Sequence, residues 1–180
     1  MKRLLRWTAL VSPGAEELVL QTGDGVMTAD SVVEGGRAGP AVRVTYHLEL
    51  DPAWQVRRVS VTTGDEQVTL HRDTSGTWRD GNGVLVPALT GCTDVDISVT
   101  PFTNTLPIRR LQLAEGESAD IRVAYIQLPG PAIRPVRQRY TNLGGGRYRY
   151  EALESGFTAE ITVDADGLVV EYPGLFRRLS

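Results

Sequence analysis

The sequence predicts a single all-β domain, a long antiparallel meander curled into a β-roll or half-barrel, with at most one short helix. The first observation is a period of two, since every even position in 42–50 is apolar and every odd position is polar. A strand with one buried face requires that alternation. The second is frequent glycine punctuation with little helical periodicity between turns. Such short connections favour antiparallel neighbours, because parallel pairing needs long crossovers.

Further strands follow from the same alternation, most clearly at 121–125, 147–150 and 157–164. Shorter strands are expected at 4–11, 18–22, 26–33, 56–62, 68–72 and 168–172. Glycine supplies the positive φ that tight turns require. Turns are therefore predicted at Gly23-Asp24-Gly25, Gly35-Gly36, Thr63-Gly64-Asp65, Gly81-Asn82-Gly83, Gly144-Gly145-Gly146 and Asp164-Ala165-Asp166-Gly167.

The pair Arg57-Arg58 interrupts the alternation between Val56 and Val59. One extra residue at this point predicts a β-bulge, which bends the strand that carries it. A meander of many strands also accumulates twist until it curls or closes. We therefore expect an apolar concave interior that leaves room for a ligand.

Segment 89–113 departs from the strand pattern, because it contains two prolines and several threonine and asparagine side chains. These side chains indicate irregular backbone held by side-chain hydrogen bonds. Thr105 is predicted to cap a short helix, with Pro107 and Ile108 in its first turn.

Composition limits the classes of function. The chain has 180 residues, which we interpret as one domain spanning 1–180, and a net charge of −3 that argues against non-specific nucleic-acid binding. Its one cysteine cannot close an internal disulfide. No apolar run suits a signal peptide or a membrane helix. These features predict a cytoplasmic protein, and they do not indicate its oligomeric state.

No standard catalytic or metal motif is present. His47 and His71 lie on the polar phases of their strands and are interpreted as surface residues. Cys92 has no histidine or lysine beside it, so a small buried thiol is expected rather than a nucleophile. The sequence lacks the Gly-x-Ser-x-Gly pattern of a nucleophile elbow. We therefore predict no metal and no cofactor.

Asp94 and Asp96 lie two residues apart and would share one face of a strand. One interpretation is a metal or general acid/base pair. The other, which we favour, is that they fix irregular backbone or pair with Arg109 and Arg110.

The segment 121–150 is rich in arginine and contains Arg137, Arg139, Arg147 and Arg149 around the triple-glycine turn. These side chains would form either a site for an anionic headgroup or a solvated face paired with acids. The aromatic residues fall mostly on the apolar phase, so core packing is expected. Several of them would also suit a cavity for a ligand with an apolar chain and a polar head.

Two stretches, 91–98 (GCTDVDIS) and 100–110 (TPFTNTLPIRR), resemble the bacterial putative glycolipid-binding family, a domain of unknown function. The resemblance covers nearly the whole chain. It also includes Trp7, Glu16, Trp54, Gly76-Thr77-Trp78, Gln138-x-Tyr140, Asp164-x-Asp166-Gly167-Leu168-Val169 and Tyr172-Pro173-Gly174-Leu175-Phe176. It implies a spiral β-roll similar to the half-barrels of bacterial lipoprotein carriers, and it carries no catalytic residue across.

The preferred hypothesis is a non-enzymatic binder of a lipid or glycolipid-like amphiphile, whose acyl part contacts the apolar phase of the strands. Segment 100–110 would then lie at the entrance, and the predicted ligand contacts are Asp94, Asp96, Asn104, Arg109, Arg110, Tyr46 and Tyr140. The alternative is an enzyme acting on a small or sugar-containing substrate through Asp94/Asp96 and Arg109/Arg110. A third hypothesis is an interaction module that uses an exposed sheet edge or the arginine-rich hairpin.

Overall fold

A computed structural model describes residues 1–11, 13–23, 25–35 and 42–180 of the chain. Two of the predicted turns, Gly23-Asp24-Gly25 and Gly35-Gly36, lie partly outside these ranges.

Within the described ranges the chain forms one open sheet of fourteen strands and one short α-helix, which confirms the predicted all-β curled meander. The first half contains β1 (Lys2–Ala9), β2 (Gly14–Gly23), β3 (Val26–Gly35), β4 (Arg43–Leu50), β5 (Val56–Thr63), β6 (Glu66–Arg72) and β7 (Trp78–Asp80). The remainder contains β8 (Asp94–Ile97), α1 (Thr105–Leu111), β9 (Ser118–Gln127), β10 (Ala132–Gly144), β11 (Arg147–Ala152), β12 (Phe157–Val163), β13 (Val169–Tyr172) and β14 (Phe176–Arg178).

The strand order is β7-β6-β5-β4-β3-β2-β1-β14-β13-β12-β11-β10-β9-β8. The first and last strands pair with each other at the middle of the sheet, so two meanders meet there. Every described neighbouring pair is antiparallel except β8 and β9, which are parallel. The expectation of a wholly antiparallel meander is therefore wrong at this one pair. The reason is that β8 follows a long excursion from β7 and returns beside a strand from the other half.

The predicted bulge is present in β5. Glu49 pairs with Arg58 and Leu50 pairs with Val56, which leaves Arg57 as the extra residue. The Arg57 guanidinium donates to Asp51 Oδ2 over 2.5 Å. The bulge therefore directs a basic side chain back to the turn that precedes the strand.

The segment between β7 and β9 packs against the inner face of the first half-sheet. Two 3₁₀ turns, Pro87–Leu89 and Phe102–Asn104, flank β8. Phe102 and Leu106 are fully buried among apolar side chains of β1 to β6. The expectation of a roomy apolar interior is therefore wrong for this half, because the segment fills the space that the curled sheet encloses.

The helix boundary differs slightly from the prediction. Asn104 occupies the N-cap position and Thr105 is the first helical residue. The Thr105 hydroxyl is buried and has no hydrogen-bond partner in the described part of the chain. Thr105 therefore fills space in the core instead of capping the helix.

Two apolar clusters form the core. The first joins β1 to β7 with the segment that follows, and its large members include Trp7, Leu48, Trp78 and Phe102. The second cluster lies under β9 to β13, with Tyr140, Tyr150, Ile161 and Tyr172 among its members. No helix in the described ranges is long and apolar enough to cross a membrane.

Candidate functional site

A cavity of about 420 Å³ lies between β8, the turn that follows it, and the inner face of the second half-sheet. Its polar lining residues are Asp96, Ser98, Thr100, Asn104, Arg134, Gln138, Glu154 and Ser155. Its aromatic lining residues are Tyr125, Tyr150, Phe157, Tyr172 and Phe176. Small-molecule sites combine aromatic and apolar walls with a few placed polar groups in this way.

Asp96 lies at the inner end of this cavity, on β8. Gln138 Nε2 donates to Asp96 Oδ2 over 2.6 Å, and Thr103 Oγ1 donates to Asp96 Oδ1 over 3.4 Å. Burial raises the pKa of the Asp96 carboxyl above its ordinary value, and these two hydrogen bonds oppose the shift in part. The carboxyl therefore has a higher tendency to carry a proton than an exposed aspartate. A protonated carboxyl both donates and accepts hydrogen bonds, as a sugar hydroxyl does.

Tyr140 supports the cavity from below. Its hydroxyl donates to Asn104 Oδ1 over 2.9 Å, and Asn104 Nδ2 donates to the Pro101 carbonyl over 3.2 Å. Burial raises the pKa of Tyr140 well above its usual value, so its hydroxyl remains a neutral donor. Asn104 lines the cavity, and the hydrogen bond from Tyr140 fixes the orientation of the Asn104 amide.

Aromatic rings form one wall of the cavity. Tyr150 packs edge-on against Tyr140 at a centroid distance of 5.5 Å and against Tyr172 at 6.1 Å. Phe157 lies 6.2 Å from Tyr150 and is 42% exposed. The exposed ring therefore marks the open side of the cavity, where a ligand would first contact it.

A narrow groove of about 40 Å³ adjoins the cavity, and the two share Ser98, Leu175 and Phe176. The rest of the groove is mostly apolar: Trp7, Ala9, Val11, Gly14, Ala15, Glu16, Val33, Glu34, Gly35 and Val99. A polar cavity therefore continues into an apolar groove around the turn between β13 and β14.

Glu16 is buried at the base of this groove. Its carboxylate accepts hydrogen bonds from Tyr46 Oη at 2.5 Å, Ser31 Oγ at 2.8 Å and Thr100 Oγ1 at 2.6 Å. Burial raises the pKa of Glu16 to about 7, against the lowering effect of the three hydroxyl donors. Thr100 lines the cavity, so this buried cluster lies directly beside it. Tyr46 acts within the cluster and does not line the cavity in the described residues.

Asp94 faces a different environment from Asp96, although both project from one face of β8. Arg110 Nε and Nη2 donate to the two Asp94 oxygens over 3.0 and 2.7 Å. Thr93 Oγ1 donates to the same carboxylate over 2.7 Å. Asp94 is fully buried, and neither partner of this bidentate pair lines the cavity. The pair anchors α1 to β8, as the structural interpretation of these aspartates expects.

Arg109 points elsewhere. Its guanidinium lies 5.2 Å from the ring centroid of Trp54, in the turn between β4 and β5. The structure therefore brings Asp96, Asn104 and Tyr140 together, and separates them from Tyr46, from the Asp94–Arg110 pair and from Arg109. The enzyme alternative requires Asp94 or Asp96 in one cleft with Arg109 or Arg110. Asp96 lines the cavity without either arginine, and the Asp94–Arg110 pair lies outside it.

Three arginines of the β10–β11 hairpin have acidic partners. Arg139 pairs with Asp120, Arg137 with Glu154 and Arg147 with Glu160, as expected for a solvated arginine face. Arg134 of β10 lines the cavity, whereas Arg137, Arg139, Arg147 and Arg149 do not.

Cys92 and the histidines follow the sequence interpretation. The Cys92 thiol is buried, and burial raises its pKa to about 11. His47 Nδ1 lies 2.7 Å from Asp30 Oδ1 on a partly exposed surface. In the described part of the chain, no group of three histidine, cysteine, aspartate or glutamate side chains is arranged to hold a metal ion.

Several cavity residues were not predicted as site residues, notably Gln138, Tyr150, Phe157 and Tyr172. A signal existed for Gln138, because it falls on the same strand phase as the buried Tyr140. The aromatic residues carried no such signal, since an aromatic side chain on an apolar phase indicates core packing as readily as a cavity wall.

The fold and the cavity define an all-β roll with a polar, aromatic-lined site against the inner face of its second half-sheet. The chain belongs to the family described as putative glycolipid-binding, whose model matches residues 4–178.

A solved structure supports this assignment. The crystal structure of a DUF1089 family protein from Pseudomonas aeruginosa is 41% identical in sequence, with a TM-score of 0.80. The match covers 91% of this chain and 92% of that one. No curated protein sequence matches the chain significantly.

Proposed function

We propose that this protein is a non-enzymatic binder of a sugar-bearing amphiphile, with the sugar in the 420 Å³ cavity and the adjoining chain along the apolar groove. The observation that carries the proposal is that the cavity and the groove are continuous. Ser98, Leu175 and Phe176 line both, so one molecule with a polar and an apolar part would contact both.

The cavity chemistry fits a sugar ring. Asp96, Asn104 and Gln138 offer carboxyl and amide groups that are fixed by buried hydrogen bonds. Fixed polar groups lose little conformational entropy on binding, which favours affinity. The Tyr150 and Phe157 rings supply an apolar surface for the C–H face of a sugar. The volume lies within the usual range of about 300–1,000 Å³ for small-molecule sites.

The proposal puts the apolar chain of the ligand in the groove, whereas the sequence led us to expect it against the apolar phase of the strands. Phe102 and Leu106 occupy the interior of the first half-sheet, so an acyl chain has no space there. The groove between Val99, Leu175 and Phe176 accepts only the first part of a chain. The proposal therefore favours ligands whose headgroup supplies most of the binding free energy.

The family assignment supports the same class of ligand, because the family is described as putative glycolipid-binding. We take the cytoplasm as the location in this proposal, because a free buried cysteine suits a reducing compartment.

Calorimetric titration with alkyl glycosides below their micelle threshold tests the proposal. Octyl glucoside should bind with one-to-one stoichiometry and more tightly than methyl glucoside, because only the longer ligand reaches the apolar groove. Phe157→Ala should weaken octyl glucoside binding by about fivefold through loss of ring contact. Asp96→Asn, which is nearly isosteric, should weaken it by a similar factor of about five through loss of a hydrogen bond.

Two matched variants serve as controls. Leu4 is 50% exposed and does not line the cavity, so Leu4→Ala should leave octyl glucoside affinity unchanged. Asp120 is an exposed carboxylate paired with Arg139, so Asp120→Asn controls for the loss of a charge. Equal binding of octyl glucoside by all four variants would overturn the proposed site. Native mass spectrometry of gently purified protein, followed by organic extraction, then identifies a natural ligand.

A further inference from the structure

A second cavity, of about 310 Å³, lies at the opposite rim of the first half-sheet. Its lining comes from the start of β1, the end of β2, the start of β3, the turn between β4 and β5, α1, and the turn between β12 and β13. The apolar lining includes Leu20, Val26, Met27, Trp54 and Leu168. The charged side chains of the lining are Arg3, Arg109 and Asp166, and the N-terminal ammonium of Met1, another lining residue, donates to the Thr22 carbonyl over 2.7 Å.

Arg109 is held in place at this cavity without a carboxylate partner. Its stem runs over Gly167, where an added Cβ would lie only 2.7 Å from Arg109 Cδ. Its guanidinium lies over the Trp54 ring at 5.2 Å. Among the described residues no carboxylate lies within ion-pair distance of Arg109, whereas Asp166 is engaged by Arg3 at 2.5 Å.

Trp54 is held as firmly as Arg109. Its φ of 62° lies in the left-handed region, which is strained for a bulky residue. Asp51 enforces this turn, because its Oδ1 accepts the backbone N–H groups of Ala53 and Gln55 and its carbonyl accepts that of Trp54. The indole is therefore fixed as a platform for the guanidinium and as one wall of the apolar lining.

A guanidinium stacked on an aromatic ring keeps its N–H donors at the ring edge, where they match the paired oxygens of a carboxylate or phosphate. Apolar side chains beside those donors suit the hydrocarbon that carries such a group. We propose that this cavity is a second binding site, in which Arg109 binds the oxyanion head of a single-chain amphiphile and the Leu20, Val26, Met27 and Leu168 surface contacts its chain.

The second site is independent of the proposed sugar site. Trp7, Ala9 and Val11 line the groove beside the first cavity, whereas Arg3 of the same strand lines the second. The fully buried Phe102 and Leu106 fill the interior between the two rims. The second cavity shares no lining residue with the first cavity or its groove, so a substitution at one site can be tested for its effect on the other.

Protein NMR with sodium decanoate below its micelle threshold tests the second site. The indole N–H signal of Trp54 reports on this site, because Trp54 lines the cavity. The indole signals of Trp7 and Trp78 are internal controls, because both N–H groups donate to carbonyls in the buried core. Decanoate should shift the Trp54 indole signal and leave the Trp7 and Trp78 signals in place. Trp54→Phe assigns that signal by removing it.

Calorimetry then tests the headgroup. Arg109→Gln should weaken decanoate binding at least tenfold, as for loss of a charge-assisted bidentate contact of about 1.5–3 kcal/mol. Arg6→Gln is the matched control, because Arg6 is exposed on β1, pairs with Glu17 and does not line this cavity. Comparing decyl phosphate with decanoate shows whether the site prefers a phosphate or a carboxylate head. Binding of either ligand that depends on Arg109 supports the site.

Other outcomes would overturn the proposal. Equal affinity for decanoate and decanol, or full affinity in Arg109→Gln, would exclude recognition of an oxyanion. If the protein binds anionic vesicles but not free decanoate, the ligand of this site is a membrane surface and not a single amphiphile. Loss of decanoate binding in Phe157→Ala, with the Trp54 signal unmoved, would place the ligand in the first cavity instead.

Discussion

At the scale of single residues, Glu16 shows how a sequence pattern can indicate a buried charge. In β2 it lies on the same phase as Leu18 and Leu20, both of which are buried. The alternation therefore predicts a buried carboxyl at position 16, although we had interpreted Glu16 only as part of a resemblance. Three hydroxyl donors make this burial tolerable, because a buried polar group without partners costs about 1–3 kcal/mol.

The raised pKa of Glu16 predicts how stability depends on pH. The folded protein holds a proton up to about pH 7, whereas the unfolded chain releases it near the ordinary value of 4.5. Between these values the folded state binds more protons, so stability falls as pH rises, by about 3 kcal/mol in total. Urea unfolding of the wild type at pH 5 and pH 8 measures this loss.

Glu16→Gln provides the comparison, because an amide imitates the protonated carboxyl at every pH. The variant should match the wild type near pH 5 and exceed it in stability at pH 8. The difference between the two proteins removes the contributions of all other titrating groups. If both proteins lose equal stability between pH 5 and pH 8, Glu16 has an ordinary pKa in the folded state.

At the scale of elements, the regular strands and the short helix were predictable from the sequence, whereas the parallel pairing of β8 with β9 was not. The Arg57 bulge was visible because it broke a local period. β8 is only four residues long, and its parallel partner β9 follows after α1, so no local pattern indicates their pairing. Residue Thr105 shows the same limit, since its preference for a cap was overridden by burial in the core.

The segment between β7 and β9 also separated the predicted site residues. Asp96 reaches the cavity, whereas Asp94 is bound by Arg110 and Arg109 lies over Trp54. Spacing of two indicated correctly that the aspartates share a face. It gave no information on which partners meet each carboxylate, because those come from α1 and β10.

The filled interior leads to a prediction for this segment. Leu106 is fully buried against the first half-sheet, so Leu106→Ala should reduce the free energy of unfolding by about 2–5 kcal/mol. Leu4→Ala, at an exposed leucine of β1, should change it by less than about 0.5 kcal/mol. Urea denaturation measures both. A small effect of Leu106→Ala would mean that α1 lies loosely in the roll.

At the scale of the whole molecule, the two halves of the sheet are joined by packing, because the first apolar cluster also contains Ala124 and Ile126 of β9. Helix α1 places Leu106 in the first cluster and Ile108 in the second. Trp7 of the first half donates its indole N–H to the Val169 carbonyl of the second half over 2.9 Å. The pairing of β1 with β14 joins the two meanders directly.

These connections predict one cooperative unfolding transition, even though a chain of 180 residues exceeds the size for which two-state behaviour is usual, about 150 residues. Opening either cluster would expose one face of α1 and break the β1–β14 pairing, so neither half should be stable alone.

In urea, tryptophan fluorescence follows the first cluster, where Trp7 and Trp78 are buried, and far-ultraviolet circular dichroism follows the whole sheet. The two signals should share one midpoint and one slope. Ile108→Ala should lower that midpoint for both signals equally, because the cavity left by the buried Ile108 side chain in the second cluster would weaken the packing of α1 on both clusters. Two separate midpoints, with only the dichroism shifted by Ile108→Ala, would show that the halves unfold independently.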